Sequence, residues 1–252
     1  GCFELAAEHA IPNSETAWQI EIDPFARLVL SRHWPRTKRY EDIRRIDTNK
    51  LEPIDLLIGG FPCQDASQAN SKRDGLDGKK SGLWFEMLRI LRDIRTPNGK
   101  RPVLVAENVT GLLNVRPGID QVLGSLHAIG YDAEWSCLSA GSIGGPHRRD
   151  RIWIVGYATD ADDRAKYDLP FNGSFESTSE FDRFDQTLRR GRIQIDRNPW
   201  SSFATVDPIC RKNDGSSERI HRSNRRKSLG NSIVPQVAIH VFNQLRKNGM
   251  LP

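Results

Sequence analysis

A cysteine that follows a predicted buried strand is the first candidate for chemistry in this sequence. Cys63 comes after the apolar run 54–58 and a turn with two glycines and a proline, which would expose its thiol. A thiol with an ordinary pKa of ~8.5 is only a few per cent ionised at neutral pH, so a nucleophilic cysteine needs nearby cations. Arg149 and Arg151 stand two residues apart where another apolar run begins, and they could supply that charge. An inert packing role for Cys63 stays open at this point.

Two carboxylates also stand where predicted strands end. Glu107 follows the apolar run 103–106, and a half-desolvated carboxyl there would have a raised pKa and could act as an acid near neutral pH. Glu21 stands near the end of the predicted strand 16–22 and could bind the two hydroxyls of a ribose. Each residue could instead be a structural acid that bonds a neighbouring loop. Gly230-Asn231-Ser232 could place amide groups near a ligand, or could only cap the last helix.

Short apolar runs alternate with helical patterns over the first two thirds of the chain, which predicts an α/β fold with a doubly wound, mostly parallel sheet. The polar, glycine-containing stretch 64–82 is long for a compact domain and is predicted to be a lid. The predicted strands are 16–22, 54–58, 103–106 and 152–155, and the predicted helices are 3–10, 25–34 (with Asp23 and Pro24 at its start), 83–94 (capped by Ser81), 119–129 and 234–245.

Composition excludes several classes of protein. The chain has 252 residues with 37% hydrophobic and 27% charged residues and a mean hydropathy of −0.56, which indicates one domain, or one with a small appendage, and a polar surface. Apolar runs are much shorter than the ~20 residues of a membrane helix, and the opening residues do not form a secretory signal. The four cysteines form no CxxC pair, so we expect no disulfide framework, no metal site and a reducing cytoplasm.

Charge is unevenly distributed along the chain. The net charge is +5, with eight acidic and three basic residues in 160–185 and eleven basic and four acidic residues in 189–227. The basic tract could bind a phosphate backbone, or it could be a solvated face. The helix–strand rhythm is lost over the same stretch. We therefore predict a catalytic domain from residues 1–159 and 228–252, and a short, loop-rich module from residues 160–227.

Taken together, these motifs resemble those of bacterial and phage cytosine-5 DNA methyltransferases. Four strings occur in the family's order: Gly60-Phe61-Pro62-Cys63-Gln64, Glu107-Asn108-Val109, Arg149-Asp150-Arg151 and Gly230-Asn231-Ser232. Glu21-Ile22-Asp23 and the string that begins at Ser81 are also similar to the family, and the match covers most of the chain outside 160–197. The resemblance implies a Rossmann-like methyltransferase fold that uses S-adenosylmethionine, with residues 160–227 as the target-recognition module.

The resemblance also implies roles for individual residues. Cys63 would add to C6 of a flipped-out cytosine, Glu107 would protonate N3, and Arg149 and Arg151 would hold the base oxygen and favour the thiolate. Glu21 would bind the cofactor's ribose, Asp42 its adenine amino group, and Phe3 and Ile22 would sandwich the adenine. The full predicted cofactor set is Phe3, Glu21, Ile22, Asp42, Ile43, Pro62, Leu83 and Asn231, and the predicted DNA contacts are Gln64, Ser67, Arg73, Arg189, Arg190, Arg222 and Arg225.

One departure from the family leaves alternatives open. The family opens with a strand and a glycine-rich loop, of which only Gly1-Cys2-Phe3 stands here, so we expect the first strand to be missing. We expect a monomer that methylates double-stranded DNA in the cytoplasm of a bacterium, or as a phage-encoded enzyme, with a separately encoded restriction endonuclease as companion. The alternatives are a truncated, weak or inactive DNA-binding relic of the family, and an RNA cytosine-5 methyltransferase.

Overall fold

The computed structural model describes residues 1–62, 82–115, 118–145, 147–158 and 232–252. Cys63, Asn231, the predicted lid up to residue 81, the recognition module and all seven predicted DNA contacts lie outside the described residues. The helices are α1 (Cys2–Ala10), α2 (Pro24–His33), α3 (Leu83–Asp93), α4 (Gly118–Ala128) and α5 (Pro235–Lys247). The strands are β1 (Trp18–Ile20), β2 (Lys38–Tyr40), β3 (Leu56–Gly60), β4 (Val103–Val109), β5 (Tyr131–Leu138) and β6 (Arg151–Ala158).

Four of these strands form one sheet in the order β3-β4-β6-β5. β3 runs parallel to β4, and β6 runs antiparallel to both β4 and β5, so three of the four strands point the same way. The described residues of the connection from β5 to β6 contain one 3₁₀ turn, Gly141–Ile143, and no α-helix of the kind that usually returns a chain to a parallel strand. β1 and β2 form a separate parallel pair. The predicted mostly parallel α/β sheet is confirmed.

Helices cover both faces of this sheet, as a doubly wound fold requires. Strand side chains alternate between the faces, so Leu104 and Ala106 pack with α3 and α4 while Val105 packs with α1 and α5. α1 and α5 lie against each other, and Nη1 of Arg246 donates to the carbonyl of Ala10 at 2.9 Å. Within the described residues, no helix has both the length and the apolar character needed to span a membrane.

Local sequence sets where the helices begin. The carboxylate of Asp23 accepts from the backbone N–H groups of Phe25 and Ala26 at 2.9 and 3.2 Å, and Pro24 takes the first helical position, as predicted for α2. The cap position of α3 is Gly82, one residue later than the predicted Ser81 cap.

Strand bounds differ more from the predictions. β1 is shorter than 16–22, β3 begins two residues later than 54–58, and β4 continues through Glu107 to Val109. β2 and β5 were not predicted, because β2 begins with two charged residues and β5, at the edge of the sheet, mixes polar with apolar side chains.

Candidate active site

Glu107 lies inside β4, not after it, with a strand on each side. In the ladder it stands opposite Gly60 of β3 and Trp153 of β6. A Cβ atom added at Gly60 would lie 3.4 Å from Oε2 of Glu107, at ordinary contact distance, so the carboxylate lies directly beside the β3 backbone. The strand position explains why Glu107 is buried, with 9% of the residue exposed.

Arg151 is the ion-pair partner of Glu107. Its Nε lies 2.8 Å from Oε1 of Glu107, and the two side chains are 21% and 12% exposed. Burial raises the pKa of the Glu107 carboxyl above its ordinary value, while the charges of Arg151 and Arg149 and the hydrogen bond from Arg151 oppose that rise. The carboxyl therefore holds a proton more readily than an exposed glutamate does, as predicted for an acid in this position.

Asn108 joins the end of β4 to the turn that leads to residue 63, a role that the sequence did not reveal. Its Nδ2 donates to the carbonyl of Phe61 at 3.0 Å, and its Oδ1 accepts from the backbone N–H of Val109 at 2.8 Å. The ring of Phe61 lies 4.7 Å from the ring of Trp84, measured between centroids. The segment before residue 63 is thus held by the side-chain amide of Asn108, which binds its backbone, and by Trp84 of α3, which packs against the Phe61 ring.

Arg149 has a different partner from Arg151. Its Nη2 donates to the main-chain carbonyl of Ser232, which precedes α5, and its own backbone is left-handed with φ of 43°. Burial and the nearby charge of Arg151 lower the pKa of Arg149, whereas Glu107 and Cys2 act to raise it. The two arginines therefore share one region of positive charge but do not hold the same group.

Cys2 lies at the same junction, where the start of α1 meets Ser232. Its thiol is partly buried and is hydrogen-bonded to the Ser232 side chain, and it lies within the field of Arg149. Burial raises the pKa of this thiol, and the amino terminus, Arg149 and Ser232 act in the opposite direction. Three segments that are far apart in the sequence thus meet beside Glu107 and Arg151.

The structure describes Glu21, Ile22 and Asp42, three of the predicted nucleoside contacts. Oε1 of Glu21 accepts from the backbone N–H of Asp23 at 2.7 Å, which fixes the carboxylate, and the neighbouring Ile22 is 61% exposed. Asp42, by contrast, is engaged by Arg44, which donates to both carboxylate oxygens. That pairing lowers the pKa of Asp42 to about 2. An adenine amino group would have to share this carboxylate with Arg44.

The apolar members of the predicted cofactor set lie in different parts of the core. The ring of Phe3 packs edge-on against Trp153 at 5.9 Å between centroids, so it belongs to the α1–α5 side. Ile43 packs against the opposite cluster, and Leu83 is the first residue of α3. The sandwich of an adenine between Phe3 and Ile22 stays a prediction. Among the described residues, no group of three or more His, Cys, Asp or Glu side chains is placed to hold a metal ion.

Comparison with known proteins identifies the family. Residues 1–204 match the model of the C-5 cytosine-specific DNA methylases. The chain is 33% identical over 181 residues to the Type II methyltransferase M.NgoBV of Neisseria gonorrhoeae, a match that covers 68% of this chain and 40% of the relative. It is 32% identical over 185 residues to the Type II methyltransferase M.NlaIV of Neisseria lactamica, covering 70% and 40%. The chain thus spans about 40% of the length of these curated relatives.

A solved structure supports the same fold. The S. pombe Dnmt2 methyltransferase superimposes with a TM-score of 0.52 over 97% of this chain and 90% of that chain. At 14% identity this likeness concerns the fold alone. The family match over residues 1–204 carries the assignment: this chain belongs to the C-5 cytosine-specific DNA methylase family.

Proposed function

We propose that this chain carries out DNA cytosine-5 methylation, the transfer of a methyl group to C5 of cytosine in double-stranded DNA. The observation that carries the proposal is the pair of Glu107 and Arg151, held at 2.8 Å in the middle of the sheet of a chain of this family. Asn108 ties the same strand to the turn that leads directly to Cys63. A buried acid and two cations thus lie at the end of β4 to which the chain returns immediately before Cys63.

Glu107 and Cys63 divide the chemistry between them. The Cys63 thiolate forms a bond to C6 of the base while the Glu107 carboxyl gives its proton to N3, so the ring accepts the electron pair and C5 becomes nucleophilic. After C5 is methylated, it loses its proton to a water molecule, the Cys63–C6 bond breaks, and N3 returns its proton to the Glu107 carboxylate. These steps restore the aromatic ring, the thiolate and the acid. The raised pKa of Glu107 supports its role as the proton donor near neutral pH. Positive charge from Arg151 and Arg149 favours the thiolate.

The described residues fit a nucleoside cofactor at the end of β1. Glu21 offers an oriented carboxylate for a ribose diol, and the exposed side chain of Ile22 offers an apolar surface beside it for a base. When bound, S-adenosylmethionine supplies the methyl group. Phe3, Ile43, Pro62, Leu83 and Asn231 complete the proposed pocket, with Asp42 sharing its carboxylate between Arg44 and the cofactor.

DNA is the proposed partner. The target base has to leave the duplex to reach a buried carboxyl, at a cost of a few kcal/mol. The basic tract 189–227 is proposed to bind the phosphate backbone, with Arg189, Arg190, Arg222 and Arg225 among its contacts. Gln64, Ser67 and Arg73, in the stretch 64–82 that the sequence predicts to be a lid, are proposed to contact DNA. We further propose that the chain acts as a monomer in a bacterial cytoplasm, beside a separately encoded restriction endonuclease.

A covalent trap tests the proposal. Duplex DNA that contains 5-fluorocytosine should form a stable complex with the wild-type chain and S-adenosylmethionine, because C5 then carries fluorine instead of the proton whose loss releases the thiol. Cys63→Ala should form none, while Cys137→Ala, which removes an exposed cysteine of the same chain, should trap like the wild type. Glu107→Gln should lower the methylation rate by ~10²–10⁴. Trapping by Cys63→Ala, or trapping on RNA and not on DNA, would refute the proposal.

A further inference from the structure

The two arginines before and at the start of β6 differ in what they hold. Arg151 pairs with a side chain, the Glu107 carboxylate. Arg149 donates instead to a main-chain carbonyl, that of Ser232, 83 residues further along the chain. A side-chain donor on a main-chain acceptor fixes the course of the backbone rather than the charge of a reacting group.

The backbone of Arg149 supports a positioning role. Its φ of 43° lies in the left-handed region, which costs free energy for a residue with a Cβ atom and persists only where neighbouring contacts enforce it. This conformation allows Arg149 and Arg151 to reach different partners although one residue separates them. The strained backbone conformation therefore lies at Arg149, whose side chain reaches Ser232 while the side chain of Arg151 reaches Glu107.

Ser232 links Arg149 to a third segment. The Ser232 side chain is hydrogen-bonded to the thiol of Cys2, and α1, which begins at Cys2, packs along α5. Ser232 directly follows Asn231 in the sequence, and its side-chain partner Cys2 directly precedes Phe3. Asn231 and Phe3 both belong to the proposed cofactor set. Loss of the bond to its carbonyl would loosen this junction without removing the partner of Glu107.

We propose that Arg149 is a positioning residue that ties the cofactor side of the site to the base side, by holding the Ser232 carbonyl against the start of β6. Arg151, in contrast, contacts Glu107 directly as its ion-pair partner. The cofactor part of this inference rests on the proposed function. The hydrogen bond from Arg149 to the Ser232 carbonyl, called the clamp below, does not rest on it, because this bond is a contact within the chain and can be measured without cofactor or DNA.

A matched pair of variants tests the clamp. Arg149→Met and Arg151→Met each remove one positive charge and one guanidinium group, at positions two residues apart. Arg148→Met is the control, because it removes the exposed arginine next to Arg149. Amide hydrogen exchange of residues 232–238 in the cofactor-free chain should become about tenfold faster in Arg149→Met, the effect of losing one charge-assisted hydrogen bond. Relative to the amides of residues 241–245 later in the same helix, which serve as the reference for global unfolding, exchange at 232–238 should stay within twofold of wild type in the other two variants, so a general loss of stability in Arg151→Met does not imitate loss of the Arg149 contact.

Cofactor binding gives the second measurement. Calorimetric titration with S-adenosylmethionine should show a Kd about tenfold weaker for Arg149→Met and unchanged for Arg151→Met, whose kcat should fall instead. Arg149→Lys keeps a charged donor and should restore part of the protection from exchange. If Arg149→Met does not fold, Arg149→Lys against Arg151→Lys gives the same comparison with an expected change of about threefold.

The outcomes separate the two proposals. Unchanged exchange at 232–238 in Arg149→Met, or an equal increase in Arg151→Met, overturns the clamp. Faster exchange only in Arg149→Met together with an unchanged Kd overturns its link to the cofactor. Failure of the wild-type chain to bind S-adenosylmethionine counts against the proposed function and leaves the exchange result to decide the clamp.

Discussion

Replacing Arg151 by glutamine should destabilise the chain in a way that depends on pH. The substitution leaves the Glu107 carboxyl buried without its ion-pair partner. Removal of one member of a wholly buried pair typically costs ~3–5 kcal/mol. Here the side chains are 21% and 12% exposed and the charge of Arg149 remains nearby, so we expect a loss of about 2–3 kcal/mol at pH 8.

The pH dependence follows from the direction of the Glu107 pKa. Burial raises it above the ordinary value of 4.5, so the contribution of Glu107 to stability is complete below 4.5 and is lost as pH rises through the folded-state pKa. Arg151 holds that pKa down, and the substitution lets it rise further. At pH 5 a larger fraction of Glu107 is protonated in the variant than at pH 8, so the loss should be smaller there and should approach about 1 kcal/mol, the net contribution of one hydrogen bond.

Urea unfolding of four proteins at pH 5 and pH 8 measures this effect. The wild type, Arg151→Gln, Glu107→Gln and the double variant form a cycle whose coupling free energy should be larger at pH 8. Arg92→Gln is the control, because its pair with Asp93 is 58% and 30% exposed and should contribute less than ~1 kcal/mol at either pH. An equal loss at the two pH values would refute our account of the buried carboxyl.

Two further predictions concern helices. Gly118→Ala should lower the free energy of unfolding by ~2 kcal/mol or more, because φ is 35° there and the added Cβ would lie 2.3 Å from the carbonyl oxygen of Leu112. In the same helix, a Cβ added at Gly124 would meet nothing within 4 Å, so Gly124→Ala should stabilise the chain by ~0.5–1 kcal/mol. Thermal unfolding would contradict this account if the melting temperatures of both glycine variants shifted in the same direction. Asp23→Ala should cost ~1 kcal/mol by removing the cap of α2, and Asp23→Asn should restore most of it in urea unfolding.

The sequence predicts the layers of this fold better than the order of its strands. Continuous apolar runs such as 103–106 and 152–155 mark strands that helices cover on both faces, and the structure has them at the centre of the sheet. β2 and β5 were missed because neither contains a continuous apolar run: β2 begins with two charged residues, and β5 mixes polar with apolar side chains. The antiparallel direction of β6 depends on the connection that precedes it, and the apolar pattern of a strand does not predict the direction in which the strand runs.

The candidate site was predicted by residue type but not by pairing. Strand ends and motif spacing pointed to Glu107, Arg149 and Arg151 together. They did not show that one arginine holds a carboxylate and the other a carbonyl, because Ser232 lies 83 residues from Arg149 and the choice depends on packing between distant segments. Asn108 belongs to one of the motifs that the sequence showed, but its side-chain hydrogen bond to the carbonyl of Phe61 also joins segments that are far apart in the sequence and was not predicted.

The contact between α1 and α5 has a consequence for how the chain is synthesised. Arg246 and Ala10 are separated by 236 residues, and translation at ~5–20 residues per second places roughly 10–50 s between the appearance of the two helices. Val105, Trp153 and Val155 are made within that interval, and from then until α5 follows they lack the helix that later covers them. The nascent chain therefore exposes an apolar strand face for a time set by the ribosome, and its yield in a cell should depend on chaperones that bind such surfaces.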